Sequence, residues 1–261
     1  MTLAVARRDH ALEARLALAV QTARLGHPLY AYACVTSTMD LAKDLVEQGC
    51  QEGTMVFAQR QTQGRGRLGR AWNSPIGGLY LSMVLRPQRA VSEAPQLALV
   101  AGLAVAETVR TFSGLFPTIR WPNDVLLDDR KVAGILVEAK SNVVILGIGI
   151  NATTSVDQLS HGATSLITAG ASPEVDPDHV VGHLCHRVET WYDEWVSRGF
   201  GKIREALRPW MGLFGQPVHI SAGSEHFEGT ASDLDEAGRL LVRLDSGIVR
   251  AFEMGEVSLL R

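Results

Sequence analysis

Apolar residues change their spacing several times along this chain, and each change predicts an element. Over residues 9–25, Leu12, Leu16, Ala19 and Ala23 recur three or four apart, the spacing of one helical face, and Gly26 and Pro28 mark its end. YAYACVTSTMDLAKDLVEQG predicts a short strand, a Thr/Ser turn and a helix from about Met39, with Ser37 or Thr38 as its cap and Gly49 as its stop. GTMVFAQRQT and GLYLSMVLRP read as strands on either side of an arginine-rich interval, and Pro95 to Phe112 as a strongly apolar helix. TIRWPNDVLLDDRKVAGILVEAK predicts strands around a turn at Asp128 to Arg130, and NVVILGIGINAT a buried strand ending in a glycine-rich loop. One or two helices follow over residues 178–208. From about Met211 short apolar runs alternate with turn signals such as E-A-G and D-S-G, the texture of a small all-β barrel or half-barrel. The chain therefore divides into an N-terminal helical extension (1–28), an α+β main domain with a mixed sheet flanked by helices (29–210) and a small β domain (211–261).

Composition narrows the class. Hydrophobic residues make up 46% and charged ones 20%, an ordinary soluble balance, and the net charge of -3 gives no footprint for nucleic acid. Cys34, Cys50 and Cys185 are too few and too scattered for a disulfide framework, which predicts a cytoplasmic, reducing location. No apolar run is long enough to span a bilayer. Arg7, Arg8, Asp9, Glu13 and Arg15 interrupt what would be the apolar core of a secretory signal.

The candidate chemistry sits in QGRGRLGRAW, where Gly64, Gly66 and Gly69 spell G-x-G-x-x-G. A dinucleotide site needs a helix directly after the glycines; here Pro75, Gly77 and Gly78 lead into a strand instead. A kinase phosphate loop does lie between strands, yet no V-A-I-K, H-R-D or D-F-G follows. RNA-binding Gly/Arg tails are long and usually terminal, whereas this stretch is short and held between apolar strands. An ordinary hairpin loop explains the glycines but not three crowded cations. A loop folding over an anion explains both, with glycines for close backbone approach and arginines as forked donors. Each charge-assisted bond is worth about 1.5–3 kcal/mol, and ordering a mobile residue costs about 1–2 kcal/mol. These totals are close, which predicts a loop whose order depends on its anion.

STMDLA (Ser37 to Ala42), QTQGRGRLGRAW, GLYLSMVLRP, RWPNDVLL, RKVAGILVE, GIGIN and ATSL occur in the order typical of biotin protein ligases, and MGEVSLL resembles that family's ending. The resemblance runs from about Tyr32 to the C-terminus. It implies a class II synthetase-like catalytic fold with a small SH3-like β-barrel, and a reaction joining biotin to ATP as biotinyl-5′-AMP before transfer to a lysine of a biotin carboxyl carrier protein. Residue by residue, it assigns biotin's ureido end to Ser37, Thr38 and Gln61, and the closing ligand loop to Gly64, Arg65 and Arg67. It places Trp72 near the adenine, and Trp121, Asn123 and Asp124 in the nucleotide and metal region. Lys131 matches the lysine touching both the biotin carboxylate and the α-phosphate. Gly134 and Leu136 line the biotin strand, and Gly149 and Asn151 lie near the nucleotide. Lys131, Arg65 and Asp124 are the implied catalytic groups, Asp124 as base or orienter for the acceptor lysine; Mg²⁺ bridges the phosphates, with no dedicated protein metal site. A possible homodimer through the main sheet is also implied.

Taken singly, these residues have plainer readings. Ser37 and Thr38 suit a helix cap, Trp72 and Trp121 a core, Lys131 a charged turn, and the GIGIN glycines a strand turn. His179, His183 and His186 share a helical face beside Cys185, which resembles metal-ligand spacing without the Glu of H-E-x-x-H; an exposed helix face is the better reading. Two departures from the family pattern stand out: Met39 follows Ser-Thr where Asn is frequent, and Leu260 stands where some members have Arg, with Arg261 one place later. The 29 residues before Tyr30 read as one helix, too little for the winged helix of repressor members, so a monofunctional ligase without DNA binding is expected. The rival readings are a lipoate or octanoate ligase-transferase of similar fold and a non-catalytic biotin or nucleotide sensor.

Overall fold

Strand alternation decides which of two cores each side chain enters. The computed structural model describes residues 7–172, 174–253 and 255–260. Its elements run α1 (His10–Ala19), β1 (Leu29–Tyr32), α2 (Thr38–Glu47), β2 (Met55–Ala58), β3 (Gly78–Leu85), α3 (Gln96–Ser113), β4 (Thr118–Arg120), β5 (Asp124–Leu127), β6 (Arg130–Lys140) and β7 (Val143–Asn151). Then follow α4 (Pro177–Arg198), α5 (Gly201–Leu207), β8 (Pro217–Ala222), β9 (Glu225–Leu234), β10 (Leu240–Leu244), β11 (Val249–Phe252) and β12 (Glu256–Leu259). The first seven strands form one mixed sheet in the order β1-β2-β3-β7-β6-β5-β4, parallel only between β1 and β2. The last five form an antiparallel sheet in the order β11-β10-β9-β8-β12. Arg261 lies outside the described residues; Leu260 ends the last strand by donating its N–H to Pro217 O.

Met55, Phe57, Leu81, Met83, Leu146 and Ile148 point to the face covered by α1, α3 and α4 and join the main core. Their neighbours Val56, Ala58, Val84 and Ile145 point the other way and pack with Val35, Met39 and Ala42 beneath α2. Burying each large aliphatic side chain contributes about 1.5–3 kcal/mol. On the α2 face the rows then run out of bulk: Ser82, Gly147 and Leu136 lie side by side, followed by Tyr80, Gly149 and Gly134. The GIGIN glycines thus belong to the interior of β7, not to a loop after it, and they leave a bare strip of sheet.

The N-terminal helix is shorter than its periodicity predicts. It stops at Ala19, and Val20 is extended. The Glu189 carboxylate on α4 accepts the backbone N–H groups of Ala23, Arg24 and Leu25 at 2.9, 2.7 and 2.9 Å. Those donors are satisfied without a helix, and the chain turns so that Val20 and Leu25 are buried while Ala23 faces out. Burial pushes the Glu189 carboxyl up, but the three N–H donors and Arg24 outweigh it and hold the carboxyl below its ordinary range.

Glu13 on α1 is gripped in the same way, by Arg8 Nε at 2.7 Å, His10 Nδ1 at 2.8 Å and Ala31 N at 3.1 Å. Burial raises its carboxyl, but these bonds prevail and bring it from 4.5 to about 2. A carboxyl depressed on folding stabilises the protein above its unfolded value and loses that contribution as pH falls through the folded one. Glu13→Gln is therefore expected to weaken the fold at neutral pH and to flatten the decline of stability between about pH 4.5 and 2, read by urea unfolding across that range.

Candidate functional site

The bare strip of sheet floors a cleft of about 420 Å³, walled by α2, the arginine loop, the β4–β5 turn and β8 and β12 of the second sheet. A methyl group on Gly149 would lie 2.7 Å from Trp72 Nε1 and 2.8 Å from its Cε2; one on Gly134 would lie 2.8 Å from Trp72 Cζ3 and 3.1 Å from Lys131 Cε. The glycines are needed because an indole and a lysine stem lie flat on the strands. On Gly147 the same methyl would meet Met39 Sδ at 2.6 Å, so Met39 occupies the trough rather than merely following Ser-Thr.

One end of the trough is polar and closed. Gln61 Oε1 accepts from Thr38 N at 2.8 Å and Thr38 Oγ1 at 3.1 Å, while Gln61 Nε2 donates to Ser74 Oγ at 2.9 Å. Ser82 Oγ donates to Thr38 Oγ1 at 2.8 Å. Ser37 stands at the N-cap of α2 but its hydroxyl makes no cap bond; it is buried without a partner among the described residues. The expected side-chain cap is absent; the first amide of α2, Thr38 N, goes instead to Gln61 of the neighbouring segment, which bridges Val35. Gly64 passes so close beneath that a methyl there would lie 2.5 Å from Ser74 Oγ.

The other end carries charge. β6 slips by one residue against β5, with Val125 opposite Ala133 but Leu126 opposite Lys131, so Val132 is extra. This bulge brings Lys131 and Gly134, three residues apart, to one face. Lys131 Nζ lies 2.6 Å from Asp124 Oδ1 and 5.0 Å from the Trp72 ring centroid. The segment carrying ATSL steadies that lysine, since Lys131 N donates to Gly162 O at 3.0 Å and Thr164 N to Lys131 O at 2.9 Å.

The arginine loop is a hairpin between β2 and β3, folded on the protein's own groups. Trp72 N donates to Gly64 O at 2.9 Å and Gly66 N to Arg70 O at 2.8 Å, and left-handed Leu68 and Gly69 turn its tip. Arg67 Nη1 donates to Asn123 Oδ1 at 2.8 Å. Asn123 is itself clamped to Ile135, giving Nδ2 to its carbonyl at 3.0 Å and accepting its N–H at 2.9 Å. Arg65 reaches Asp40 at 2.8 Å and Glu138 at 3.1 Å. The loop's order therefore does not rest on an anion alone, because side chains of the protein itself hold Arg65 and Arg67.

The remaining expected residues divide. Asn151 is buried, gives its Nδ2 to Thr164 O at 2.9 Å, and lines a second pocket of about 170 Å³ that shares Ala71, Trp72 and Lys131 with the cleft. Trp121 borders the cleft but is buried in the core, and its indole N–H goes to Gly238 O in the β9–β10 turn at 3.1 Å, tying the second sheet's hairpin to the main core. His219, Ser221 and Ser258 also line the cleft. No motif marked His219 or Ser221, because alternation in QPVHI shows that one face is polar and not what it faces; Ser258 falls in MGEVSLL, a resemblance that assigns it no role. The α4 histidines do not converge. His183 bonds Thr108 Oγ1 at 3.1 Å, His179 and His186 are exposed, and burial pushes the Cys185 thiol up to about 12. Among the described residues no helix is long and apolar enough to cross a membrane.

Residues 31–155 match the Biotin/lipoate A/B protein ligase family, and residues 213–260 the Biotin protein ligase C terminal domain. The chain is 32% identical over 250 residues to the bifunctional ligase/repressor BirA of Bacillus subtilis, covering 92% of this chain and 77% of that protein. It is 33% identical over 210 residues to the biotin--[acetyl-CoA-carboxylase] ligase of Paracoccus denitrificans, covering 76% and 88%. Its fold is similar to that of the Aquifex aeolicus biotin protein ligase solved with biotin and ATP, with a TM-score of 0.77, 32% identity, and 90% and 99% of the two chains covered. With the ordered motifs gathered around one cleft and the second sheet matching the ligase C-terminal domain, this chain belongs to the biotin protein ligase family.

Proposed function

We propose that this chain activates biotin with ATP, forming biotinyl-5′-AMP and pyrophosphate, and passes the biotinyl group to a lysine of a biotin carboxyl carrier protein. The observation that carries this reading is the trough's polarity. Thr38 and Gln61 line one end, with the buried, unpartnered Ser37 hydroxyl on the residue before Thr38, and Lys131 stands at the other. A ureido ring offers donors and acceptors to the first end and its carboxylate chain reaches the second. The dithiolane of lipoate or the alkyl tail of octanoate would leave the Ser37 hydroxyl unsatisfied, at about 1–3 kcal/mol, whereas Thr38 and Gln61 already satisfy one another.

In this reading Gly134 and Leu136 line the acyl chain, and the smaller pocket takes the adenine against Trp72, with Asn151 behind it. Arg67 and Asn123 flank the nucleotide, Trp121 borders it, and Gly64, Arg65 and Arg67 carry the loop across both ligands. The first step forms a bond from a carboxylate oxygen to the α-phosphorus and breaks the bond to the β-phosphate oxygen, with pyrophosphate leaving. Two anions must meet, so Lys131 does the main work by turning from Asp124 to bridge carboxylate and phosphate. In the second step the acceptor amine attacks the acyl carbon, AMP leaves with the bonding pair, and the amine loses a proton. Asp124, released by Lys131, is positioned to receive it.

Magnesium fits this cleft as a partner of the nucleotide. Asp124 is the carboxylate among the cleft's lining residues, and no group of three His, Cys, Asp or Glu side chains forms a metal site among the described residues. One carboxylate with phosphate oxygens is a usual Mg²⁺ environment, and the ion would neutralise phosphate charge there.

Pyrophosphate release from Mg-ATP, measured with biotin, lipoate and octanoate in parallel, tests the reading. Release with biotin, followed by multiple turnovers onto a carrier domain, is expected. Release with lipoate or octanoate instead would move the chain to the other branch. Stoichiometric retention of adenylate without turnover would make it a sensor.

A further inference from the structure

Arg65 is tied in a way that a reacting-phosphate cation would not need. Its side chain reaches from the loop to the rim of the trough, where Asp40 of α2 meets it at 2.8 Å and Glu138 of β6 takes its fork at 3.1 and 3.4 Å. These two carboxylates come from different elements, α2 and β6, and meet the same guanidinium nitrogen, Arg65 Nη2. Asp40 follows Thr38 and Met39 of the trough wall, and Glu138 lies two residues beyond Leu136 on the same face of β6. Lys43, one turn along α2 from Asp40, holds Glu138 from its other side at 2.7 Å. Arg65 also sits at the root of the loop, where it bridges to Ala71, so whatever fixes it fixes both arms of the hairpin. Its Nε, buried and unpartnered among the described residues, is the donor left over for a ligand.

We propose that Asp40 and Glu138 are positioning residues that together grip Arg65, one from α2 and one from β6. They strap the glycine–arginine loop across the trough and slow the escape of the bound acyl-adenylate. The retention half of this inference rests on the biotin reading above; the strap itself does not. In the competing arrangement Arg65 serves the α-phosphate, and the two carboxylates merely compete with it. Removing them would then tighten nucleotide binding and leave the loop's order unchanged.

The pairs are partly exposed and individually modest, so the test removes both, in the Asp40→Asn/Glu138→Gln double variant of the full chain. Without ligand, hydrogen exchange of the amides over residues 64–72 is expected to accelerate about tenfold, with urea stability unchanged. Wild-type exchange there should also quicken as salt screens the pairs, while the double variant is insensitive to salt. Equal exchange in the two proteins, or a wild-type loop indifferent to salt, overturns the strap. The salt titration decides the point even if the double variant does not fold. With biotin and Mg-ATP, release of biotinyl-adenylate is expected to be about tenfold faster, with pyrophosphate formation at saturating substrates within about twofold of wild type. Slower pyrophosphate formation with unchanged adenylate release overturns the retention role. If the wild type forms no adenylate, the biotin reading fails while the exchange comparison still decides the strap.

Discussion

Lys131→Ala is expected to lower the rate of biotin-dependent pyrophosphate release by about a thousandfold. Its ammonium is held by Asp124 at 2.6 Å and by the face of Trp72, and its stem runs over Gly134. The bulge at Val132 directs it there. A preorganised cation aimed at charge that develops in the transition state is worth about 10²–10³ in rate, more than one ground-state contact. The loss should divide unequally, with most in kcat and about tenfold in the apparent KM for biotin, since the ground-state carboxylate loses a single charge-assisted bond. Loss of the lysine also leaves Asp124 unpaired in the cleft, facing the incoming phosphates. Lys131→Arg, which keeps the charge, separates the two effects: it should recover binding more than rate, because a planar fork cannot occupy the position of a compact ammonium. Pyrophosphate release by Lys131→Ala within tenfold of wild type would remove it from the reaction.

The strands, the apolar helices and the ordered motifs were legible because each rests on local chemistry: period-two alternation, helical spacing, turn residues. What escaped depends on partners far along the chain. The end of α1 is decided by Glu189, about 165 residues away, which no periodicity over 9–25 encodes. The glycines of β7 look like a loop signal, yet they serve a strand overlain by Trp72 and Met39. A three-residue interval between Lys131 and Gly134 predicts opposite faces of a strand, and a bulge reverses that. The cations of the loop were visible, but their counter-groups Asp40, Glu138 and Asn123 come from α2, β6 and the β4–β5 turn. Trp121 carries a family role near the nucleotide, while its indole N–H is engaged by Gly238 of the β9–β10 turn.

The glycine floor offers a test in which stability and activity move apart. Gly149→Ala places a methyl 2.7–3.0 Å from three atoms of the Trp72 indole, closer than real contacts allow, so the ring must lift from the sheet. The backbone itself accepts alanine, because Gly149 lies within β7 and outside the left-handed region. Reduced freedom of the unfolded chain favours the variant by about 0.4–1 kcal/mol, offsetting part of the overpacking, which costs about 1–3 kcal/mol. The net change in unfolding free energy should therefore lie between about zero and 2.6 kcal/mol of destabilisation. Activity has no such compensation. Lifting Trp72 narrows the trough, disturbs the ring under Lys131 Nζ and shifts the wall shared with the smaller pocket. A displacement of about 1 Å at such a site costs on the order of a hundredfold in rate. Gly134→Ala should act in the same direction, since its methyl meets both Trp72 and the Lys131 stem. Gly102→Ala supplies the opposite case: it lies inside α3, and its methyl would find Ile119 at 3.9 Å, an ordinary contact. It should raise stability by about 0.5–1 kcal/mol and leave pyrophosphate release untouched. Urea unfolding and initial-rate measurements on the three variants decide the matter, and a Gly149→Ala protein with wild-type activity would show that the trough does not hold the reacting acid.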